Sequence, residues 1–222
     1  MQTFVVVAAL LAVCASSAIP PASIGDASEV DYEAIPTIPG DNSHYVEGKS
    51  RYIWMTDAEG EPILIDLHMP VNKTVTRNGA QNHYWLYTRL NPTSPHIIVP
   101  YVDQTVWNSN FFGFRPLRVI VHGYFTTAST DFVRKATEAL LDADDVNVVV
   151  VDWSAAANDI NYNNVVNAVA PVGKAIGDFL VWLVNTSFST WNEVHLIGHG
   201  IGAHVICNAG SQANKRPGRI TG

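Results

Sequence analysis

The segment HLIGHGIGAH, residues 195–204, has the spacing of a nucleophile elbow, in which a strand runs into a sharp turn and then a helix. Such elbows are written Gly-x-Ser-x-Gly, and the central serine attacks a carbonyl carbon from a strained backbone position. Here Gly198 and Gly202 are the flanking glycines that let the turn close. Gly200 stands where the serine is expected, so the chain carries the frame of the motif without its reactive hydroxyl.

No neighbouring side chain replaces that hydroxyl. Ser187 and Ser189 precede the predicted strand, and Ser211 lies well along the predicted helix. Removing the nucleophile from a comparable catalytic triad lowers turnover by roughly 10⁶-fold. Binding and oxyanion stabilisation alone retain roughly 10³–10⁴-fold acceleration over water. We therefore predict no catalytic residue in this motif.

The surrounding chain predicts an α/β fold with a doubly wound, mostly parallel sheet. The runs LRVIVH (117–122), NVVVVDW (147–153) and EVHLIG (193–198) are apolar on both faces, and HYWLYTRL and HIIVP also resemble strands. Helical spacing occupies 131–141, a long stretch around 172–184, and 201–212. Pro171 must kink the long helix or mark its start. Buried strands that alternate with helices indicate a sheet covered on both sides.

The amino-terminal region is expected to precede the folded domain. MQTFVVVAALLAVCASSA has the apolar run and small residues of a secretory signal peptide, with cleavage after Ala18, although it lacks an early Lys or Arg. A membrane anchor is the alternative, but the run is short for a bilayer. Residues 19–40 are read as a linker or pro-segment, and 41–82 as loops with one short hairpin. We expect a secreted, extracellular protein without a transmembrane segment.

The cysteines and sequons fit that location. Cys14 would leave with the signal peptide, so Cys207 remains without an internal partner, and its apolar helical surroundings predict a buried, inert thiol. Asn72 and Asn185 begin N-glycosylation sequons.

Composition excludes some classes of function. With 47% hydrophobic residues, a net charge of −7 and a pI of about 5.5, the chain suits one globular domain and no nucleic-acid partner. The glycine run does not have the dinucleotide-binding spacing. The eight histidines form no ligand cluster, and the His195/His199 pair spans a strand and a turn rather than a helix. No metal and no cofactor are predicted.

Four separated motifs, in order, resemble the pancreatic-lipase family of α/β-hydrolases, and most closely its insect, secreted neutral-lipase branch. They are VIVHGY (119–124), VVVVDW (148–153), NEVHLIGHGIGAHVICNAG (192–210) and GRITG (218–222). The resemblance covers roughly residues 41–222, which are therefore expected to form the N-terminal part of a lipase-type domain.

The resemblance implies roles for individual residues. Gly200 occupies the nucleophile position, and the backbone N–H groups of Tyr124 and Ile201 would form the oxyanion hole. For Tyr124 the alternative is a packing aromatic beside a structural turn. His122, His199, His204 and Asp152 would be structural.

The family order places the triad Asp and His after GRITG. We therefore expect the domain to be truncated after the elbow helix, as a fragment, a shorter isoform or a shortened gene model.

Two functions follow from the resemblance. The first is a secreted, catalytically inactive lipase homologue that binds or stores lipid at a lipid–water interface, as insect yolk proteins resemble lipases without the serine. The alternative is a carboxylic-ester hydrolase of lipid catabolism, of triacylglycerol-lipase or phospholipase A1 type, which requires a serine at residue 200 and the remaining triad. A structural or signalling role has no support in the charge pattern.

Overall fold

The structure is a computed structural model that describes residues 31–72 and 77–222. The predicted signal peptide and the first part of the predicted linker lie outside these residues. Residues 32–40 form exposed turns, and the carbonyl oxygen of Tyr32 accepts a hydrogen bond from the backbone N–H of Arg51 at 2.9 Å. This end of the predicted linker is therefore tied to the chain that follows it.

Eight strands and five helices are present in the described residues. The strands are β1 Tyr52–Thr56, β2 Pro62–Asp66, β3 His83–Tyr87, β4 His96–Ile98, β5 Leu117–Val121, β6 Asn147–Asp152, β7 Val194–Gly198 and β8 Arg219–Thr221. The helices are α1 Asp103–Trp107, α2 Asp131–Ala143, α3 Ser154–Ala157, α4 Tyr162–Ser187 and α5 Gly202–Gln212, with a 3₁₀ turn at Trp191–Glu193.

The central sheet has six strands in the order β4-β3-β6-β5-β7-β8. Strands β6, β5, β7 and β8 are parallel, whereas β3 pairs antiparallel with both β4 and β6. The predicted α/β fold with a mostly parallel sheet is thus confirmed, with one reversed strand, β3, between β6 and the edge strand β4. The hairpin predicted within residues 41–82 is β1–β2, which forms a separate two-stranded sheet.

Strand β6 shows why its apolar run is continuous. Val149 and Val151 belong to the core cluster that includes the buried faces of α4 and α5, whereas Val148 and Val150 pack in a second cluster with α2. All four valines are fully buried. Because side chains alternate between the two faces of a strand, a strand covered on both sides must be apolar at every position.

Helix α4 is the long central helix, and Pro171 lies inside it. The helix begins at Tyr162, nine residues earlier, so Pro171 does not mark its start. Val172, Ile176 and Leu180 are fully buried against the core. In the described part of the chain, α4 alone is long and apolar enough to cross a bilayer, and 50% of its most apolar window is buried inside the fold.

Cys207 corrects the prediction of a buried thiol, because it is exposed on α5. The buried face of this helix carries Val205, Ile206 and Ala209. Each helical residue turns by about 100°, so Cys207 points away from that face despite its apolar neighbours in sequence.

Candidate functional site

The segment around Gly200 forms a tight connection between β7 and α5. Strand β7 ends at Gly198 and the helix begins at Gly202. The backbone of His199 donates to the carbonyl oxygen of Val121 at 3.0 Å, which fixes the start of the turn against β5. Gly200 then has a φ of +55°. This left-handed conformation costs energy for residues with a Cβ, and it is the strained position expected at the apex of an elbow.

The three glycines of the motif have different surroundings. A methyl group at Gly198 would lie 2.6 Å from the backbone nitrogen of Ala203, and one at Gly202 would lie 2.5 Å from the carbonyl oxygen of His122. At Gly200 such a group would meet no atom within 4 Å. The flanking glycines are therefore required by packing, whereas the apex opens into free space.

The two predicted oxyanion donors lie on the wall of the same cleft as Gly200. Tyr124 follows the His-Gly turn after β5, and Ile201 follows the apex of the elbow. Within the described residues, neither backbone N–H has a hydrogen-bond acceptor. The structure thus brings to one cleft the two positions that the resemblance implies for an oxyanion hole, each with a backbone N–H that has no acceptor in the described residues.

The Tyr124 side chain is also a packing group. It is 5% exposed and its ring makes an edge contact with Tyr162, at 5.1 Å between centroids. Burial, together with the nearby Asp159 carboxylate and Tyr162, raises the pKa of its phenol to about 12. The side chain stays neutral and leaves the backbone as the part of Tyr124 able to serve a ligand.

The cleft has a volume of about 420 Å³. One side is the elbow and the His-Gly turn, and the other is the β1–β2 hairpin with the loop before it. The residues that line it are Gly40, Asn42, Ile53, Trp54, Met55, Thr56, Asp57, Gly123, Tyr124, Thr126, His199, Gly200 and Ile201.

The hairpin wall was not predicted from the sequence. Three asparagines at the start of α4 hold the segment that follows β2. Asn163 donates to the carbonyl oxygens of Leu67 and Met69 at 2.7 and 2.8 Å. Asn161 donates to the carbonyl oxygen of Pro70, and Asn164 accepts from the backbone of Asn72. The run NYNN (161–164) was the available signal, but it does not show which distant segment it binds.

His122 is committed to the interior. It is 1% exposed, and its Nε2 lies 3.2 Å from the backbone nitrogen of Trp153 and 3.3 Å from Asp152 Oδ1. Its Nδ1 lies 3.0 Å from the hydroxyl oxygen of Thr126. Burial raises the pKa of the Asp152 carboxyl, but hydrogen bonds from His122 and Ser154 outweigh this and bring it to about 2. This network supports the structural roles expected for His122 and Asp152.

The other histidines of the motif have separate neighbours. His199 stacks on Phe132 at 4.4 Å between centroids, while His195 Nε2 lies 2.9 Å from the hydroxyl oxygen of Thr221. Burial and the positive charges of Arg219 and Arg118 lower the pKa of His195 to about 4. His204 is exposed on α5. The described residues contain no group of three or more side chains able to hold a metal ion.

Comparison with known proteins gives a consistent result. The family model described as lipase matches residues 59–222. The chain is 33% identical over 139 residues to pancreatic triacylglycerol lipase of Myocastor coypus, covering 63% of this chain and 30% of that protein. It is 35% identical over 141 residues to human inactive pancreatic lipase-related protein 1, covering 63% and 29%.

Human pancreatic lipase-related protein 2 is 31% identical over 140 residues, with coverages of 63% and 29%. The matched part of the chain thus spans about three tenths of the length of these curated relatives. With the fold, the elbow between β7 and α5 and the match over residues 59–222 together, the chain belongs to the pancreatic-lipase family of α/β-hydrolases.

Proposed function

We propose that this chain is a secreted member of the family that binds lipid or lipid ester without hydrolysing it. Gly200 carries the proposal, because it stands at the apex of the elbow and has no atom able to attack a carbonyl carbon. Thr126 does not substitute, since its hydroxyl donates to the carbonyl oxygen of Gly123 at 2.9 Å and also lies against His122.

The cleft supports a lipid as the ligand. Three apolar residues of β1, Ile53, Trp54 and Met55, line the cleft together with the elbow. An apolar wall with a few convergent polar groups is the usual form of a site for an apolar ligand with a polar head. The named relatives include a triacylglycerol lipase and an inactive lipase-related protein, so both outcomes of this scaffold occur among them.

Secretion is part of the same proposal. Residues 1–18 would be removed as a signal peptide, residues 19–40 would form a linker or pro-segment, and residues 41–222 would belong to the lipase-type domain. Asn185 is exposed near the end of α4, and Asn72 is exposed after β2. Both are accessible for the N-glycosylation that a secreted protein would receive.

A serine-directed fluorophosphonate probe tests the absence of chemistry. We expect no labelling of the purified natural protein and no ester hydrolysis above the uncatalysed rate, together with retained binding of a long-chain lipid. Glycine cannot react with the probe. Labelling at residue 200 would therefore mean that the natural protein carries a serine there, and it would overturn the proposal. Failure of the folded natural protein to bind a long-chain lipid would overturn the proposed binding function.

The second candidate is a carboxylic-ester hydrolase, which the free N–H groups of Tyr124 and Ile201 favour. The Gly200→Ser variant separates the two candidates, because nothing within 4 Å obstructs a side chain there. Labelling of this variant would show that glycine alone silences an otherwise complete site. An unlabelled but folded variant would show that the chain lacks further parts of the machinery.

A further inference from the structure

Four aromatic side chains project into solvent at one end of the fold. Trp107, Phe112, Phe114 and Phe188 are 61, 51, 86 and 83% exposed, and we call them the aromatic patch. We propose that this patch is the docking surface for an N-linked glycan on Asn185, whose first sugar rings lie on Trp107 and Phe188. This inference rests on the secretion that is part of the proposed function, because N-glycans are carried by secreted proteins.

The aromatic patch is assembled from three separate segments. The indole Nε1 of Trp107 donates to the carbonyl oxygen of Thr186 at 3.4 Å, which places the end of α1 against the end of α4. Gly113 leaves no room for a Cβ against the carbonyl oxygen of Ser187, so the two phenylalanines that flank it lie beside the same helix end. Their rings are 5.5 Å apart between centroids. The patch is therefore one continuous surface around the end of α4.

This surface is separate from the cleft beside the elbow. Phe112 and Phe114 precede the start of β5, and Phe188 precedes the start of β7, whereas the elbow follows the carboxyl end of β7. Because β5 and β7 are parallel, their starts lie at one edge of the sheet and the elbow lies at the other. The aromatic patch and the cleft thus occupy opposite ends of the parallel sheet.

Phe188 is unfavourable in its own position. It caps α4 in a left-handed conformation with a φ of +57°, where glycine is usual because it has no Cβ. Its ring is also mostly in water. A bulky residue that combines backbone strain with exposed apolar surface indicates an interaction that covers it.

Asn185 places a glycan within reach of this surface. It begins the sequon Asn-Thr-Ser and is exposed on α4, three residues before Phe188. The backbone N–H of Phe188 donates to the carbonyl oxygen of Asn185 at 3.5 Å, so the two residues are neighbours within one helical turn. Trp107 is bonded to Thr186, the residue after Asn185. No hydrogen bond joins the Asn185 side chain to another described residue, so its amide nitrogen is available to carry a sugar.

A tethered, neutral sugar fits the aromatic patch better than a charged membrane does. Pyranose rings pack their C–H faces on aromatic rings and keep their hydroxyl groups in water. Because the glycan is attached beside the patch, weak stacking on each ring is enough to hold it there. Arg115 lies over the Phe112 ring at 5.4 Å, but it is paired with Asp145 at 2.8 Å. This cation is therefore not free to bind a lipid phosphate.

Hydroxyl-radical footprinting of the purified secreted protein tests the proposal. Mass spectrometry measures the oxidation rate of each aromatic side chain in the glycosylated full chain and in Asn185→Gln, which lacks the sequon. We expect Trp107 and Phe188 to be oxidised at least threefold more slowly when the glycan is present. Phe132, exposed on α2, is the internal control, and its rate should be equal in the two proteins.

Asn72→Gln is the matched control variant, because it removes the other sequon and leaves the glycan on Asn185. Trp107 and Phe188 should stay protected in it. Equal oxidation of these two residues in the natural chain and in Asn185→Gln would overturn the docking. Protection that appears only on phosphatidylcholine vesicles would assign the aromatic patch to a membrane instead.

The occupancy of Asn185 separates this inference from the proposed function. A secreted protein without a glycan on Asn185 would overturn this inference alone, whereas a protein that stays in the cytoplasm without glycans would overturn the proposed secretion as well. Asn185→Gln should bind a long-chain lipid as the natural chain does, because the cleft lies elsewhere. If this variant does not fold, enzymatic removal of the glycan from the folded natural protein provides the same comparison.

Discussion

A methyl group at Gly202 would lie 2.5 Å from the carbonyl oxygen of His122 and 2.6 Å from that of Val121. The first turn of α5 therefore rests directly on the end of β5, with no room for a Cβ between them. This contact sets the position of Ile201, the residue just before the helix, relative to Tyr124, which follows His122 by two residues. The packing of two glycine-containing turns thus places the two free N–H groups at one cleft.

Substitution within the elbow should separate packing from backbone strain. Gly202→Ala is expected to lower the free energy of unfolding by about 3 kcal/mol or more, because the clash is with backbone atoms that cannot rotate away. Gly200→Asn should cost about 1 kcal/mol, because asparagine tolerates positive φ and the apex is empty. Urea denaturation of both variants checks this order, and an equal cost at the two positions would contradict it.

The hairpin wall should depend on its asparagine anchor. Asn163→Ala leaves the carbonyl oxygens of Leu67 and Met69 without their partner, and we expect a loss of about 1–3 kcal/mol in unfolding free energy. Hydrogen exchange of the backbone amides in β1 and β2 should also become faster.

Asn208→Ala is the matched control for that variant. Among the residues that the structure describes, its side chain bonds only to the carbonyl oxygen of His204 on the same helix, so its cost should stay within about 0.5 kcal/mol. Unchanged hairpin exchange in Asn163→Ala would show that the wall is held by other contacts.

The Asp152 carboxylate should make the free energy of unfolding decrease at acidic pH. Its pKa is about 2 in the folded chain, against about 3.9 when unfolded. A depressed pKa contributes stability that is complete above the unfolded value and is lost as the pH falls towards 2. The contribution is about 1–2 kcal/mol. The gap in unfolding free energy between the natural chain and Asp152→Asn should therefore narrow by this amount between pH 6 and pH 2.5. A constant gap would exclude the assigned pKa.

The His195 imidazole should also make the free energy of unfolding depend on pH, in a range above that of Asp152. Its pKa is about 4 in the folded chain, against about 6.5 when unfolded, so folding favours the neutral ring. The stability that this provides is complete above pH 6.5 and falls as the pH drops towards 4. Because the ring is only half-buried, solvent screening reduces the effect to about 1 kcal/mol.

His195→Gln keeps a polar partner for Thr221 without titrating. Measured from pH 8 to pH 4.5, the natural chain should lose about 1 kcal/mol more unfolding free energy than this variant. Equal losses would mean that His195 does not titrate differently on folding.

Much of the central sheet was predictable because its residues carry a local signal. The run of valines in β6 has apolar side chains on both faces, and this is required only of a strand buried on both sides. The elbow was predictable for a related reason, since Gly198 and Gly202 mark positions where no Cβ fits. The antiparallel pairing of β3 and β4 also had a signal in their short connection, which is too short for a parallel crossover.

The rest depends on contacts between distant segments. Helices α1 and α3 have five and four residues, too few to show a helical period. The hairpin becomes a cleft wall through Asn161 and Asn163, which reach segments more than 90 residues away in sequence. Cys207 was misassigned because apolar neighbours along a helix do not share its face.

The open apex at Gly200 has a consequence for how such a protein evolves. Two serine codons differ from glycine codons by a single nucleotide, and glycine adopts the positive φ of this position without the strain that a side chain adds. A single mutation from serine to glycine at residue 200 can therefore remove the chemistry of the elbow without harming the scaffold. A mutation from glycine to serine at Gly198 or Gly202 would be selected against, because no Cβ fits there. Selection for the fold thus acts on Gly198 and Gly202, whereas residue 200 can gain or lose a reactive side chain while the fold is kept.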